Sequence, residues 1–442
     1  VRTPGHSEGN RSGSHPRSAR RAGRRLGRRA ATAAATIALA AAAAAAHRPP
    51  AAAAELRIQA NAFLSAGGTD NALSAPSGTA RAAPDVFFLV RGGLLSVWRL
   101  PHGSHSLAYT YGIAAYGTQV AAGGQTHALS WSWNNTVTAR LDVMAAFSAT
   151  YSRLNSTAPL QDAAAQNAMP TAVPAGPVAF GGLNATTGLT YRPSARLSWY
   201  ESTSAGVFAP VSDPEPRGLA VQQQVGHSRQ YGQDALTANL VLSYLLAREI
   251  RDSFDIVTRP QRQTVHATLL GGWRRELTRT MGLSLQVGGL GATLVEGGPI
   301  VVGPAWNGSL SYTRPEGSAS VAVMRAVQPN IYIGQATIGD GVVARVGLPI
   351  DRQERFSVAG WGGVQRARLV TSTSSFDTAF DLISGAASLR YRSRQYPFGM
   401  SLDYSIHAQR GYAVQGRIFP DLRRQVVLLT VSGSWPPDRG GR

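Results

Sequence analysis

The chain has 442 residues, a formal charge of +19 and 15% charged residues, well below the roughly 25% of soluble domains. It contains no cysteine, which excludes disulfide frameworks, thiol chemistry and cysteine metal sites. All its basic side chains are arginine, and after residue 54 they are scattered without interleaved aromatics, which argues against a nucleic-acid partner.

Residues 1–54 read as a signal peptide with an upstream basic region. Arginines from Arg17 to Arg29 form a charged segment, and Ala30–Ala46 is an apolar run. Cleavage before Glu55 satisfies the small-residue rule through Ala52 and Ala54. Beyond Glu55 no stretch approaches the ~20 consecutive apolar residues of a helical span.

From Glu55 onward the pattern is period two. Leu129, Trp131 and Trp133 alternate with Ser130 and Ser132. Leu236, Ala238, Leu240 and Leu242 alternate with Thr237, Asn239 and Val241. Met400, Leu402, Tyr404 and Ile406 alternate with Ser401, Asp403, Ser405 and His407. Side chains alternate across a strand, so each segment has one oily and one polar face. The pattern predicts strands near 55–65, 85–99, 105–117, 126–133, 137–153, 178–191, 196–208, 234–247, 252–257, 263–274, 281–295, 304–313, 318–327, 337–349, 356–370, 378–392, 398–410 and 425–435. The fold expected is all-β: a closed antiparallel transmembrane β-barrel of about eighteen strands, with sixteen as the alternative. The barrel fills 55–435, and 436–442 is a short C-terminal tail. The last strand, Gln425–Trp435, pairs with Glu55–Ser65 to remove both open edges.

Short turns alternate with long polar links. The short ones fall near Pro101–Gly103, Asn134–Thr136, Arg192–Ser194, Arg248–Asp252, Arg275–Arg279, Arg314–Gly317, Asp351–Arg355 and Ser393–Pro397. The long ones include Asn155–Pro177 and Pro210–Gln230. Aromatics sit beside the short turns, as an interface girdle does. The girdle residues are Trp98, Trp133, Tyr191 and Tyr244, followed by Trp273, Tyr312, Tyr391 and Trp435. A propeller would show a recurring blade motif, and none recurs.

The polar faces supply the candidate site. Arg140 and Asp142 point inward from one strand, Arg390 and Arg392 from another, and Asp403 and His407 from a third. Such charges either oppose one another across the lumen and create a transverse field, or pair as wall salt bridges between neighbouring strands; the positive balance of the chain after residue 54 favours anionic solutes in an open lumen. Catalysis lacks a motif: no Gly-x-Ser-x-Gly elbow, metal-ligand spacing or nucleotide fingerprint is present. Asp403 and His407, with Ser401 and Ser405, are the one candidate group for hydrolysis. Four residues along a strand span roughly 13 Å, too far for a carboxylate to orient an imidazole. No enzyme activity, cofactor or metal is expected.

Phe63-Leu64-Ser65, Gly68-Thr69-Asp70-Asn71, Asp85-Val86-Phe87-Phe88 and His105-Ser106-Leu107-Ala108-Tyr109-Thr110-Tyr111 together resemble the opening of a family of outer-membrane β-barrel porins. That family is common in delta-proteobacteria and is associated with bacterial exopolysaccharide clusters. Gly308–Arg314 and Ala387–Arg392 share its rhythm of strands ending in Tyr and Arg. The resemblance implies a barrel of about eighteen strands in the bacterial outer membrane, serving polysaccharide export or passive solute passage. It brings no catalytic residues. Its expected partners are outer-membrane lipid, the barrel-assembly machinery and a periplasmic polysaccharide-export partner. An outer-membrane hydrolase acting on lipid or glycan, and a plugged docking barrel, are the alternatives.

Overall fold

The computed structural model describes residues 55–75, 77, 82–153, 179–210, 218–248, 250–251, 257–259, 261–295, 297, 300–330, 335–370, 376–393, 396–414, 417–418 and 421–436. In chain order the strands are β1 (Glu55–Thr69), β2 (Asp85–Leu100), β3 (Gly103–Tyr116), β4 (Gly124–Thr138), β5 (Leu141–Arg153), β6 (Ala179–Ser194), β7 (Leu197–Pro210), β8 (Gly218–Tyr231), β9 (Asp234–Ala247), β10 (Ile250–Arg251), β11 (Val257–Arg259), β12 (Arg262–Thr278), β13 (Met281–Leu294), β14 (Val301–Arg314), β15 (Gly317–Asn330), β16 (Gln335–Pro349), β17 (Phe356–Val370), β18 (Phe376–Arg392), β19 (Phe398–Gly411), β20 (Ala413–Val414), β21 (Arg417–Ile418) and β22 (Leu422–Trp435). Eighteen of them form one antiparallel sheet in which each long strand pairs with its sequence neighbours. The sheet closes where β22 meets β1, with Ala60 opposite Trp435 and Thr69 opposite Val426. Closure pairs every wall strand on both sides and leaves no edge.

The count of eighteen holds although two segments differ from expectation. The wall has a strand, β8, where the long link Pro210–Gln230 was expected. Gln222, Gln223 and Gln224 break the oily alternation there, so the segment reads as polar. Its pairing with β7 and β9 supplies the hydrogen bonds that make it a strand. Conversely, of the strand expected at 252–257 only Val257 is described, and it belongs to β11, outside the wall. β10 and β11 pair only with each other in a small hairpin, and 252–256 lies outside the described residues. Arg248 and β10, which follow β9, therefore belong to the long-loop end. Pairing also runs further into several turns, leaving two-residue connections at 101–102, 139–140, 195–196, 232–233, 279–280 and 315–316. Gly232 takes a φ of 61°, a left-handed conformation glycine adopts without steric cost. The leader, 154–178 and 437–442 lie outside the described residues.

The outer face is apolar. Val364, Ile383, Leu402 and Leu429 are about half exposed on adjoining strands, and Val86, Phe88, Val287 and Val302 more so. A belt of this extent on a closed barrel matches a hydrocarbon layer and not water. No described helix is long and apolar enough to cross a membrane.

The packed core lies inside the wall, toward the long-loop end. Phe87, Tyr116, Val426 and Leu428 point inward and cluster with Ala72 of the β1–β2 connection. Asn71 folds that connection inward: its Nδ2 donates to the carbonyls of Ala75 (2.8 Å) and Arg423 (3.0 Å). Its Oδ1 accepts from the Ala75 N–H at 2.9 Å. A second cluster marks a seam. Pairing of β14 with β15 stops at Trp306 opposite Arg325, although both strands continue. Beyond that point Ala336 and Ile338, on the outward face of β16, pack against the inward Leu290, Ala292, Val301 and Ala305 of β13 and β14. The end of the β15–β16 hairpin therefore slips inside the wall formed by β12–β14, and the wall overlaps itself.

Candidate functional site

The wall and the internal packing together shape the lumen. At the short-turn end a cavity of about 1380 Å³ is lined by Arg91, Arg314, Arg345, Arg355, Arg390 and Arg392, against the acids Glu354 and Asp403. Six arginines line it against two acids and make a cationic vestibule, with the guanidinium of Arg314 over the Tyr312 ring at 5.5 Å and Arg355 paired with Asp351. Strand parity places the arginines. Arg91 follows the inward Leu89 on β2, and Arg390 alternates with the outward Leu389 and Tyr391 on β18. Arg390 Nε donates to Ser388 Oγ at 3.0 Å, so a hydroxyl and not an acid positions it. Asp403 accepts from Ser401 Oγ at 2.6 Å.

Arg355 is set by the turn between β16 and β17. Asp351 accepts the Phe356 N–H at 2.8 Å and Arg355 Nε at 3.1 Å. The Phe356 N–H, followed by contacts from Arg355, holds the Asp351 carboxyl below the usual carboxylate range.

Near the short turns of β3–β7 a smaller cavity of about 540 Å³ is lined by Asp142, Met144, Arg192 and Tyr200 among others. Asp142 accepts from Thr136 Oγ1 at 2.8 Å and pairs closely with Arg192. Beyond it, the inward faces of β4–β8 carry exposed hydroxyls and amides, including Ser130, Thr150, Asn184 and Gln222. The lumen thus has a cationic quarter and a neutral, hydrogen-bonding wall.

The expected lumen residues separate into several environments. Arg390, Arg392 and Asp403 line the vestibule, and Asp142 lines the smaller cavity. Arg140 is not on an inward strand face: it sits in the turn between β4 and β5 because pairing of β4 runs on to Thr138. His407 points inward but is only 2% exposed, packed at the loop end with Ser384 Oγ 3.0 Å from its Nδ1. Asp403 and His407 serve different serines, so no Ser–His–Asp arrangement forms. Arg91, Arg314, Arg345 and Arg355 were not singled out. The signal for Arg91 and Arg345 was their inward parity on segments already read as strands.

Seven of the eight girdle residues lie toward the short-turn ends. Trp98 and Trp133 are on β2 and β4, Tyr191 on β6 and Trp273 on β12. Tyr312, Tyr391 and Trp435 follow on β14, β18 and β22, with Trp435 58% exposed. Tyr244 sits at the other end of β9, where its hydroxyl donates to Gln263 at 3.0 Å. The reassigned turn at Gly232–Gln233 reverses its position. Among the described residues no group of three His, Cys, Asp or Glu is disposed to hold a metal.

No protein-family model matches this chain, and no curated protein matches it. Among solved structures, the outer membrane protein opdK from Pseudomonas aeruginosa is 8% identical, covering 86% of this chain and 99% of its own, with a TM-score of 0.43. A BenF-like porin from Pseudomonas fluorescens Pf-5 is 9% identical, covering 85% and 98%, with a TM-score of 0.44. The siderophore receptor PirA from Acinetobacter baumannii is 7% identical, covering 86% and 80%, with a TM-score of 0.46. At these values the functional reading rests on the barrel's own geometry.

Proposed function

We propose that the chain is an outer-membrane channel that passes anionic solutes. The observation that carries this reading is the vestibule lined by the inward Arg91, Arg345, Arg390 and Arg392 against Glu354 and Asp403. Guanidiniums at a pore entrance raise the local anion concentration and repel cations. The even-stranded antiparallel wall, its apolar outer face and its short turns at one end support the outer membrane as its location. Passage makes and breaks no bond, and the different partners of Asp403 and His407 support a non-enzymatic reading.

The neutral wall of β4–β8 favours a narrower version, export of an acidic polysaccharide. Sugar hydroxyls hydrogen-bond to Ser, Thr, Asn and Gln, while carboxylates meet the arginines. In that role a periplasmic export partner would meet the short turns, and the assembly machinery and outer-membrane lipid remain partners of the barrel in either version. The test is the reversal potential of the purified chain in a planar bilayer under a salt gradient. Anion preference is expected; equal permeability to both ions overturns the reading. Blockage of the current by an acidic polysaccharide, but not by a neutral one, is expected of the narrower version.

A further inference from the structure

The outer wall carries one feature that solute passage does not use. On β15–β19 a row of charge crosses the outward face just above the apolar belt. Val323, Val342, Val364 and Ile383 lie side by side in the belt, each paired with the next. One step toward the long-loop end, Arg325 is opposite Asp340, Asp340 opposite Arg366, Arg366 opposite Asp381, and Asp381 opposite Arg410. Paired residues share a face: Arg366, Asp381 and Arg410 look outward as the belt does, whereas Arg325 and Asp340 sit at the seam, 12% and 22% exposed, with Arg325 over the Trp306 ring. Arg366 grips Asp381 with two bonds of 2.7 and 3.1 Å, and its side chain stays 52% exposed. Arg368 reaches Asp340 at 3.4 Å, and Arg410 stacks over Tyr412 at 5.6 Å. At the same end, the outward faces of other strands carry Val86, Phe88 and Val302, all exposed. In this sector the arginines outnumber the aspartates.

Charge on a lipid-facing surface is costly within the hydrocarbon and becomes favourable at the headgroup level. The carboxylates are taken up by Arg366 and Arg368, which holds those guanidiniums in place, and the Arg366 side chain stays half exposed. We infer that this sector binds the phosphate-bearing headgroup of a lipid in the leaflet at the long-loop end. The inference rests on the outer-membrane reading of the barrel.

The test uses the full chain folded in detergent and mixed with a bis-phosphorylated glycolipid, or with the same lipid after phosphatase treatment. Retention is read by native mass spectrometry. The phosphorylated lipid should be retained preferentially. Arg410→Gln should weaken retention about five-fold while leaving the Arg366–Asp381 pair intact, and Arg366→Gln combined with Arg410→Gln should weaken it further. Arg279→Gln, in a turn at the opposite end, should change nothing. Equal retention of both lipids, or wild-type retention by a double variant that still shows a heat-modifiable folded band, overturns the inference alone. Absence of a folded band for the unmodified chain in any lipid overturns the membrane reading, and this inference with it.

Discussion

A glycine in this wall is dispensable or indispensable according to what faces it. A Cβ on Gly288, on the inward face of β13, would fall on the backbone carbonyl of Leu269 in the paired strand β12. At Gly362 nothing lies within 4 Å. Gly288→Ala should therefore reduce the folded, heat-modifiable fraction sharply, and Gly362→Ala should leave it unchanged. A densitometric comparison of unheated and boiled samples reads both. The Asp351 turn gives a pH prediction. Its carboxyl is depressed in the folded chain, so the stabilisation is complete above the ordinary carboxylate value and is lost as pH falls through the folded value. Exchange protection of the Phe356 amide should fall on acidification, and Asp351→Asn should show weakened protection already at neutral pH.

Two elements have roles set by where they end. The β15–β16 hairpin leaves β14 at Trp306 and Arg325 and buries Ile338 completely against the inner wall. Ile338→Ala removes buried apolar volume, a change that costs about 2–5 kcal/mol in well-packed sites. The hairpin end should then loosen from the lumen wall, seen as a larger or noisier single-channel conductance. An unchanged conductance would mean that the overlap does not restrict the path. β22 closes the barrel through ten paired positions with β1, from Ala60–Trp435 to Thr69–Val426. Trp435 is exposed at the short-turn end, where an aromatic belongs at the interface. Trp435→Ala should slow assembly into liposomes, whereas deleting residues 437–442 should not. The opposite ranking would move the closing signal into the tail.

For the whole molecule, the decisive quantity is the charge that lines the lumen, not the charge of the chain. The chain is +19, but ten arginines precede residue 55 and others lie in turns or on the outer face. The vestibule arginines act together because they converge from β2, β16, β18 and the turn between β16 and β17. Replacing Arg345, Arg390 and Arg392 by Gln should shift the reversal potential toward zero without changing the folded fraction. Each arginine near such a surface is worth on the order of 1 kcal/mol of anion attraction at moderate salt, so the shift should shrink as salt is raised.

Period-two alternation makes a strand visible without its partners, because the face that meets lipid and the face that meets the lumen are written on consecutive residues. For that reason the barrel class, most strands, the closure of Gln425–Trp435 on the first strand and the inward set of Arg390, Arg392 and Asp403 were legible from the sequence. β8 was not, because three successive glutamines hide its alternation and only pairing with β7 and β9 makes it a strand. Tyr244 changed ends when the turn at Gly232–Gln233 replaced Arg248–Asp252. His407 has the parity of a pore residue, yet it is buried, opposite Arg424 of β22 and within 3.0 Å of Ser384. Parity says which way a side chain points. Only tertiary structure decides what lies in front of it, because loops and a slipped hairpin come from distant sequence and leave no mark on the strand they cover.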